Sequence, residues 1–130
     1  MDFHFPRPSR RLMVVDDDHD LADSICAWIR QTTDWTAVPA YGAAQAIGKA
    51  GEEHFDCVLL DIAMLHNDGF ATAAMLHEAN GASHPAILAM TGDPELRDAA
   101  STDTRFVASL LKPADSDRLL GLLAEIAART

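Results

Sequence analysis

Three short apolar runs in this chain each end in residues that can handle phosphate or a cation. In chain order they are 12–15 before Asp16-Asp17, 57–60 before Asp61, and 107–111 before Lys112. Short apolar runs separated by helical patterns are typical of buried parallel strands. Ligands of such sheets collect beyond the carboxyl ends of the strands. The pattern therefore predicts a sheet with acids and a lysine gathered at one edge.

Strand-like and helix-like patterns alternate along the chain. We predict five strands, over 11–15, 35–40, 57–60, 85–90 and 106–111. A helix is predicted after each strand. The first begins near Asp18 or Asp20, the second spans 42–50 with Gly51 as its C-cap, and the third spans 69–79. The fourth begins at Pro94, and the fifth spans 115–128. Strict alternation implies a parallel sheet covered on both faces, and right-handed crossovers leave few arrangements. We predict an α/β fold, and one of these arrangements is the flavodoxin-like strand order 2-1-3-4-5, which sets strands one and three side by side.

Composition bounds the class of protein. The 130 residues fit one domain with a sizeable core, which we place at 11–128 behind a flexible leader at 1–10. The net charge of −10 argues against nucleic acid as a partner, because binding to phosphate backbones needs a basic face. No apolar stretch approaches the roughly 20 residues that span a membrane, and the start lacks a secretory signal, so we predict no membrane contact and a cytoplasmic location. Cys26 and Cys57 show no Cys-x-x-Cys spacing and are predicted to be reduced core residues.

The strand-end residues have a shared chemistry. Carboxylates in one pocket repel unless a proton or cation relieves them, and oxygen-only donors suit Mg²⁺. An aspartate carboxylate can attack phosphorus, after which a cation and a lysine neutralise the transferred group. Thr91, at the end of the fourth strand, could donate a hydroxyl hydrogen bond to the same oxygens. Each residue alone also fits turn or capping chemistry, so the prediction depends on their combination.

Together these pieces resemble the receiver domain of two-component response regulators, over about residues 11–128. The matching motifs are Val14-Val15-Asp16-Asp17, Asp61-Ile62-Ala63-Met64 with Asp68-Gly69, Met90-Thr91-Gly92, and Leu111-Lys112-Pro113. The spacing between the motifs also suits that family.

The resemblance implies that Asp61 accepts phosphate from a phosphohistidine. It implies that Mg²⁺ is held by Asp17, Asp61 and the backbone carbonyl of Ala63, with Asp16 acting mostly through water. The partners that it implies are a sensor histidine kinase or a histidine phosphotransfer protein.

The same resemblance assigns Thr91 and Lys112 to the phosphoryl oxygens, and it implies a cis peptide bond between Lys112 and Pro113. Three positions depart from the family pattern. Leu65 stands in place of a proline, Asn67 in place of an apolar residue, and Ser109 in place of a switch aromatic. Serine cannot fill the space of an aromatic ring, so we expect the usual transmission of the signal to be altered at position 109.

We therefore expect a phosphorylation switch that acts on an unidentified protein output partner, rather than an enzyme. One alternative is a binding module that keeps the fold without using phosphate, which Leu65 and Ser109 favour. Another is a phosphatase with an aspartate nucleophile, since Asp16-Asp17-Asp18 follows a strand. The sequence pattern of such phosphatases has Thr or Val at the position where this chain has Asp20.

Overall fold

The computed structural model describes residues 10–64, 69–79, 84–112 and 116–129, which form five strands and five helices in strict alternation. The strands are β1 (Arg11–Val15), β2 (Thr36–Ala40), β3 (Cys57–Asp61), β4 (Ala86–Thr91) and β5 (Phe106–Leu111). The helices are α1 (His19–Thr32), α2 (Ala43–Glu52), α3 (Gly69–Ala79), α4 (Pro94–Ser101) and α5 (Ser116–Ala128). Within the described part of the chain, no helix has both the length and the apolar character that crossing a membrane requires.

The five strands form one parallel sheet in the order β2-β1-β3-β4-β5, which confirms the predicted fold class. Strands β1 and β3 are neighbours, and Val15 at the end of β1 lies opposite Leu60 in β3. The next residue along each strand is therefore an aspartate, Asp16 or Asp61. The register alone brings these two side chains to the same edge of the sheet.

Each central strand divides its side chains between two cores. In β1, Met13 and Val15 pack with residues of α2, α3 and α4, whereas Leu12 and Val14 pack with α1 and α5. The same alternation continues in β3 and β4. All five residues of β3 are buried, because helices cover both faces of the centre of the sheet. This double burial explains why the strands appear in the sequence as continuous apolar runs.

The outer edge of β2 carries caps on its backbone groups. Thr36 and Ala40 bond to the β1 side, so Ala37 and Pro39 turn their backbone groups toward the open edge. The Arg30 guanidinium donates to the Ala37 carbonyl at 3.0 Å, and the Lys49 ammonium donates to the Pro39 carbonyl at 2.7 Å. Proline has no N–H to offer at such an edge. These caps oppose pairing of the edge with another strand.

Polar side chains begin two of the helices. Asp18 caps α1 by accepting from the Leu21 N–H, and it is exposed, as expected of a solvated helix start. Asp93 caps α4 by accepting from the Glu95 N–H, and Pro94 occupies the first turn as predicted.

The predicted C-cap at Gly51 is wrong, because Gly51 lies inside α2. The helix ends at Glu52, and the Glu53 N–H donates to the Lys49 carbonyl from an extended backbone conformation. That ending needs no residue in the left-handed region, so glycine is not required there. Three strands also differ from the prediction by one residue. β2 starts at Thr36 and β3 includes Asp61, each a change at one end, whereas β4 runs from Ala86 to Thr91 and is shifted by one residue at both ends.

Several predictions fall outside the described residues. These are residues 1–9 of the leader, the departures Leu65 and Asn67, the loop through Asp68, Asp115, and Pro113 with its cis bond. Arg10, the last residue of the predicted leader, donates from its guanidinium to the Ala127 carbonyl of α5 at 3.0 Å.

Cys26 and Cys57 are free and buried, as predicted, and burial raises the pKa of the Cys26 thiol to about 11. Burial also raises the pKa of Cys57. The thiolate is the reactive form, so a shift of the thiol pKa from 9.0 to about 11 lowers the thiolate fraction about a hundredfold.

We expect Ellman's reagent at pH 8 to modify both thiols at least about a hundredfold more slowly in the native protein than in urea. Fast modification of either thiol in the native state would contradict this burial.

Gly69 begins α3 against the chain that leaves β3. A Cβ added at Gly69 would overlap the backbone Cα and the side chain of Ile62. We therefore expect Gly69→Ala to lower the free energy of unfolding by about 1–3 kcal/mol, measured by urea denaturation. Gly48→Ala is the matched control, because Gly48 lies inside α2 with open space around it. That change should stabilise by about 0.5–1 kcal/mol, and equal effects of the two substitutions would disprove the close packing.

Candidate functional site

Three carboxylates converge at the carboxyl ends of β1 and β3. One oxygen from each of Asp16, Asp17 and Asp61 lies within 4.8 Å of the others. Asp16 is only 1% exposed and Asp61 only 5%, whereas Asp17 is the most exposed of the three. The structure thus brings together the acids that the strand-end pattern singled out.

Lys112 joins this cluster from the end of β5, the strand at one edge of the sheet. Its ammonium lies 2.7 Å from Asp16 Oδ2 and 2.9 Å from Asp61 Oδ2. The lysine follows β5 directly, and its backbone N–H donates to the Thr91 carbonyl at 2.8 Å, which continues the β4–β5 ladder by one bond. Three strand ends therefore supply one continuous group of charges.

The ionisation of this group reflects both burial and pairing. Burial raises the pKa of Asp16, the nearby charge of Asp61 adds to the rise, and hydrogen bonds from Lys112 and the Asp18 N–H oppose it. Burial alone would lower the pKa of Lys112, but its hydrogen bonds with Asp16 and Asp61 outweigh burial and raise it. The pairing therefore keeps the ammonium charged inside the cluster.

Short backbone contacts fix the orientation of the carboxylates. Asp16 Oδ1 accepts from the Asp18 N–H at 3.0 Å, so its two oxygens serve different partners, the turn and the lysine. Asp61 follows the same arrangement, since its Oδ1 accepts from the Ala63 N–H at 2.9 Å. The Ile62 N–H donates to the Met90 carbonyl and anchors the start of the loop that carries Ala63.

Thr91 is fully buried at the end of β4, next to Asp61 at the end of β3. Its hydroxyl oxygen accepts from the Asp93 N–H at 3.1 Å, which is the turn chemistry that the sequence also allowed. The hydroxyl still carries one hydrogen that it can donate. Turn formation and a second hydrogen bond are therefore compatible at this residue.

The donor set of the cluster is suited to a hard divalent cation. Three carboxylates and one ammonium leave a formal excess of two negative charges. All the acidic ligand atoms are oxygens, and oxygen ligands are those that Mg²⁺ prefers. The described residues thus fit a magnesium site built on Asp16, Asp17 and Asp61.

Ser109 is buried in β5 opposite Ala89 of β4. Its carbonyl accepts from the Arg118 guanidinium at 2.8 Å, a contact between β5 and α5 that the sequence did not indicate. An aromatic pair lies elsewhere on this side of the sheet, where the rings of Phe70 and Phe106 meet edge-to-face at 5.6 Å.

A second feature that sequence reasoning missed is the stacking of His19 on Tyr41. Their ring centroids are 4.1 Å apart. Tyr41 directly follows β2, as Asp16 follows β1, so the rule that strand ends carry the site could have singled it out.

Comparison with protein families agrees with this geometry. The family model of the response regulator receiver domain matches residues 12–124, which is most of the chain. The match includes all four charged residues of the cluster and the buried Thr91.

Solved structures show the same fold. The signal receiver domain of a response regulator from Bermanella marisrubri is 26% identical, with a TM-score of 0.77 over 92% of this chain and 99% of that chain. A CheY-like receiver domain from Methylobacillus flagellatus is 18% identical, with a TM-score of 0.80 over 92% and 99%. The response regulator TrrA of Thermotoga maritima, solved with Mg²⁺ and BeF, is 20% identical, with a TM-score of 0.78 over 90% and 98%.

Proposed function

Since the chain belongs to the response regulator receiver domain family, we propose that Asp61 is its phosphoacceptor and that Mg²⁺ is required for the transfer. As a receiver of two-component signal transduction, the chain takes its phosphoryl group from a phosphohistidine. The observation that carries the proposal is the bridge from the Lys112 ammonium to Asp61 and Asp16. A carboxylate beside both a cation and a cation site is arranged to hold an anionic phosphoryl group.

Asp61 supplies the nucleophile. The Ala63 N–H and the Lys112 ammonium hold its two oxygens and set their direction. One oxygen forms a bond to phosphorus as the bond from phosphorus to the donor imidazole breaks, and the electron pair of that bond stays on the imidazole nitrogen. The near-complete burial of Asp61 limits the access of water to the acyl phosphate that results.

Asp17, Asp61 and the Ala63 carbonyl would hold the cation, with Asp16 acting mostly through water. Bound Mg²⁺ would neutralise charge on the phosphoryl oxygens during transfer. Asp16 already accepts from the Asp18 N–H and from Lys112, which suits a supporting role.

Thr91 and Lys112 would contact the phosphoryl oxygens after transfer. The Thr91 hydroxyl has a hydrogen to donate, and Lys112 can exchange its carboxylate partners for a more negative acceptor. The acyl phosphate carries about −1.5 to −2 charge in place of the single charge of the Asp61 carboxylate, so both contacts strengthen. Their backbones are joined by the bond from the Lys112 N–H to the Thr91 carbonyl, and the ends of β4 and β5 therefore respond together.

The phosphodonor would be a sensor histidine kinase or a histidine phosphotransfer protein, as receiver domains use. The output would pass to a protein partner through the surface formed by the last two strands and helices. The net charge of −10 disfavours binding to the phosphate backbone of nucleic acid, so direct contact with another protein is the route we propose.

We expect Asp61→Asn to abolish phosphorylation. The protein is incubated with Mg²⁺ and a small phosphodonor, and intact mass spectrometry reports the phosphoryl group. The amide cannot form the acyl phosphate, while its similar shape preserves the packing of the site. Asp18→Asn is the control, because Asp18 caps α1 outside the acid cluster and should leave labelling unchanged.

The same measurement separates the alternatives. Wild-type protein that gains no phosphoryl group with any donor would support a module that does not use phosphate. A mass gain that persists in Asp61→Asn, with the label located on Asp16 by peptide mapping, would instead support a phosphatase with an aspartate nucleophile.

We expect Asp17→Ala to weaken Mg²⁺ binding at least about tenfold in calorimetric titration, because a ligand is lost. The metal-free variant should be as stable to urea as the wild type or more so, since one of three repelling carboxylates is gone. Asp20→Ala removes an equal charge from the first turn of α1 without touching the cluster. Its Mg²⁺ affinity should stay within about twofold of wild type, because charges outside the cluster are screened. Equal effects of the two substitutions would remove Asp17 from the ligand set.

A further inference from the structure

Beside the acid cluster, two rings join the start of α1 to the end of β2. The His19 and Tyr41 rings lie nearly parallel, with an angle of 22° between planes and 4.1 Å between centroids. His19 is the first residue of α1, and Tyr41 is the first residue after β2. The stack therefore connects two loops at the carboxyl edge of the sheet.

Tyr41 is held by two further contacts. Its N–H donates to Gln45 Oε1 at 3.0 Å, and its hydroxyl donates to Asp23 Oδ1 at 2.6 Å. The first contact fixes the backbone of Tyr41 to α2, and the second fixes its ring to α1. The stack is thus built on a side chain whose position is set by three neighbours.

The turn that His19 closes is the one that carries Asp17. The Asp16 N–H donates to the Ala40 carbonyl at 3.0 Å, which is the backbone bond between this turn and the end of β2. Tyr41 comes next along the chain after Ala40, and His19 comes two residues after Asp17. The backbone bond and the ring stack therefore hold the turn against β2 at its two ends.

A turn of this composition needs such a restraint. Four of the five residues at 16–20 are aspartates, and repulsion among their carboxylates favours an open turn. Opening would carry Asp17, the most exposed member of the cluster, away from Asp16 and Asp61. The stack opposes that displacement by holding the start of α1 against Tyr41.

We propose that His19 and Tyr41 are positioning residues for the cation site, which keep Asp17 in line with Asp16 and Asp61. This role rests on the proposed function, because it assumes that the acid cluster binds Mg²⁺. In this role both rings act through the turn at residues 16–19 and are not ligands themselves.

Calorimetric titration with Mg²⁺, at one pH and well below the unfolding temperature, tests the proposal. His19→Ala and Tyr41→Ala should each weaken Mg²⁺ binding about three- to tenfold, the range expected for the loss of an aromatic pair. His19→Phe restores a ring at this position and should return the affinity to within about twofold of wild type. Tyr41→Phe keeps the ring, loses the bond to Asp23, and should bind more tightly than Tyr41→Ala.

His54→Ala is the matched control, because His54 is an exposed histidine that contacts Asp56 before β3, away from the cluster. It should leave Mg²⁺ affinity unchanged. Wild-type affinity in His19→Ala and Tyr41→Ala, or failure of His19→Phe to restore binding, would overturn the positioning role. Absence of Mg²⁺ binding by the wild-type protein would instead overturn the proposed function, so the two failures are distinct.

Discussion

Two carboxylates about 4 Å apart, in surroundings with an effective dielectric near 20, repel by about 4 kcal/mol. Asp16 and Asp61 experience this repulsion in a buried site with a third acid beside them. The Lys112 ammonium bonds to both and offsets the repulsion. Its raised pKa shows that these bonds outweigh its own burial. The acid cluster therefore depends on the positive charge of Lys112, a residue far from both aspartates in the sequence.

The sheet lowers the entropic cost of bringing these distant residues together. Strands β1 and β3 are adjacent, so their registered ends place Asp16 and Asp61 side by side. The lysine reaches them because the β4–β5 ladder continues through the bond from the Lys112 N–H to the Thr91 carbonyl. The conformational entropy lost in assembling these strand-end residues is therefore part of the entropy lost in forming the sheet. The chemistry of the site is thus a consequence of strand order and register.

The fold and the charged cluster could be predicted from the sequence because a few rules determine the strand order and the strands end in charged residues. Alternating apolar runs and right-handed crossovers determine which ends meet, and Asp16, Asp61 and Lys112 stand at those ends. The prediction of a cap at Gly51 is wrong because α2 ends through a backbone hydrogen bond in an extended conformation, and such an ending requires no particular residue type. The bond from Arg118 to the Ser109 carbonyl and the stacking of His19 on Tyr41 depend on side-chain geometry between elements. Periodicity has no signal for contacts of that kind.

Ser109 determines how a signal can leave the site. Its neighbours Ala108 and Leu110 pack toward α1 and α5, so Ser109 faces the other side of the sheet, where Phe106 already supplies a ring. In the proposed function Thr91 and Lys112 move to contact the phosphoryl group, and position 109 has no aromatic ring that could move with them. Their displacement can still pass along β5, because the Ser109 carbonyl bonds to Arg118 at the start of α5. Under the proposed function, backbone coupling between β5 and α5 would therefore replace the rotation of a side chain as the route from Asp61 to a partner.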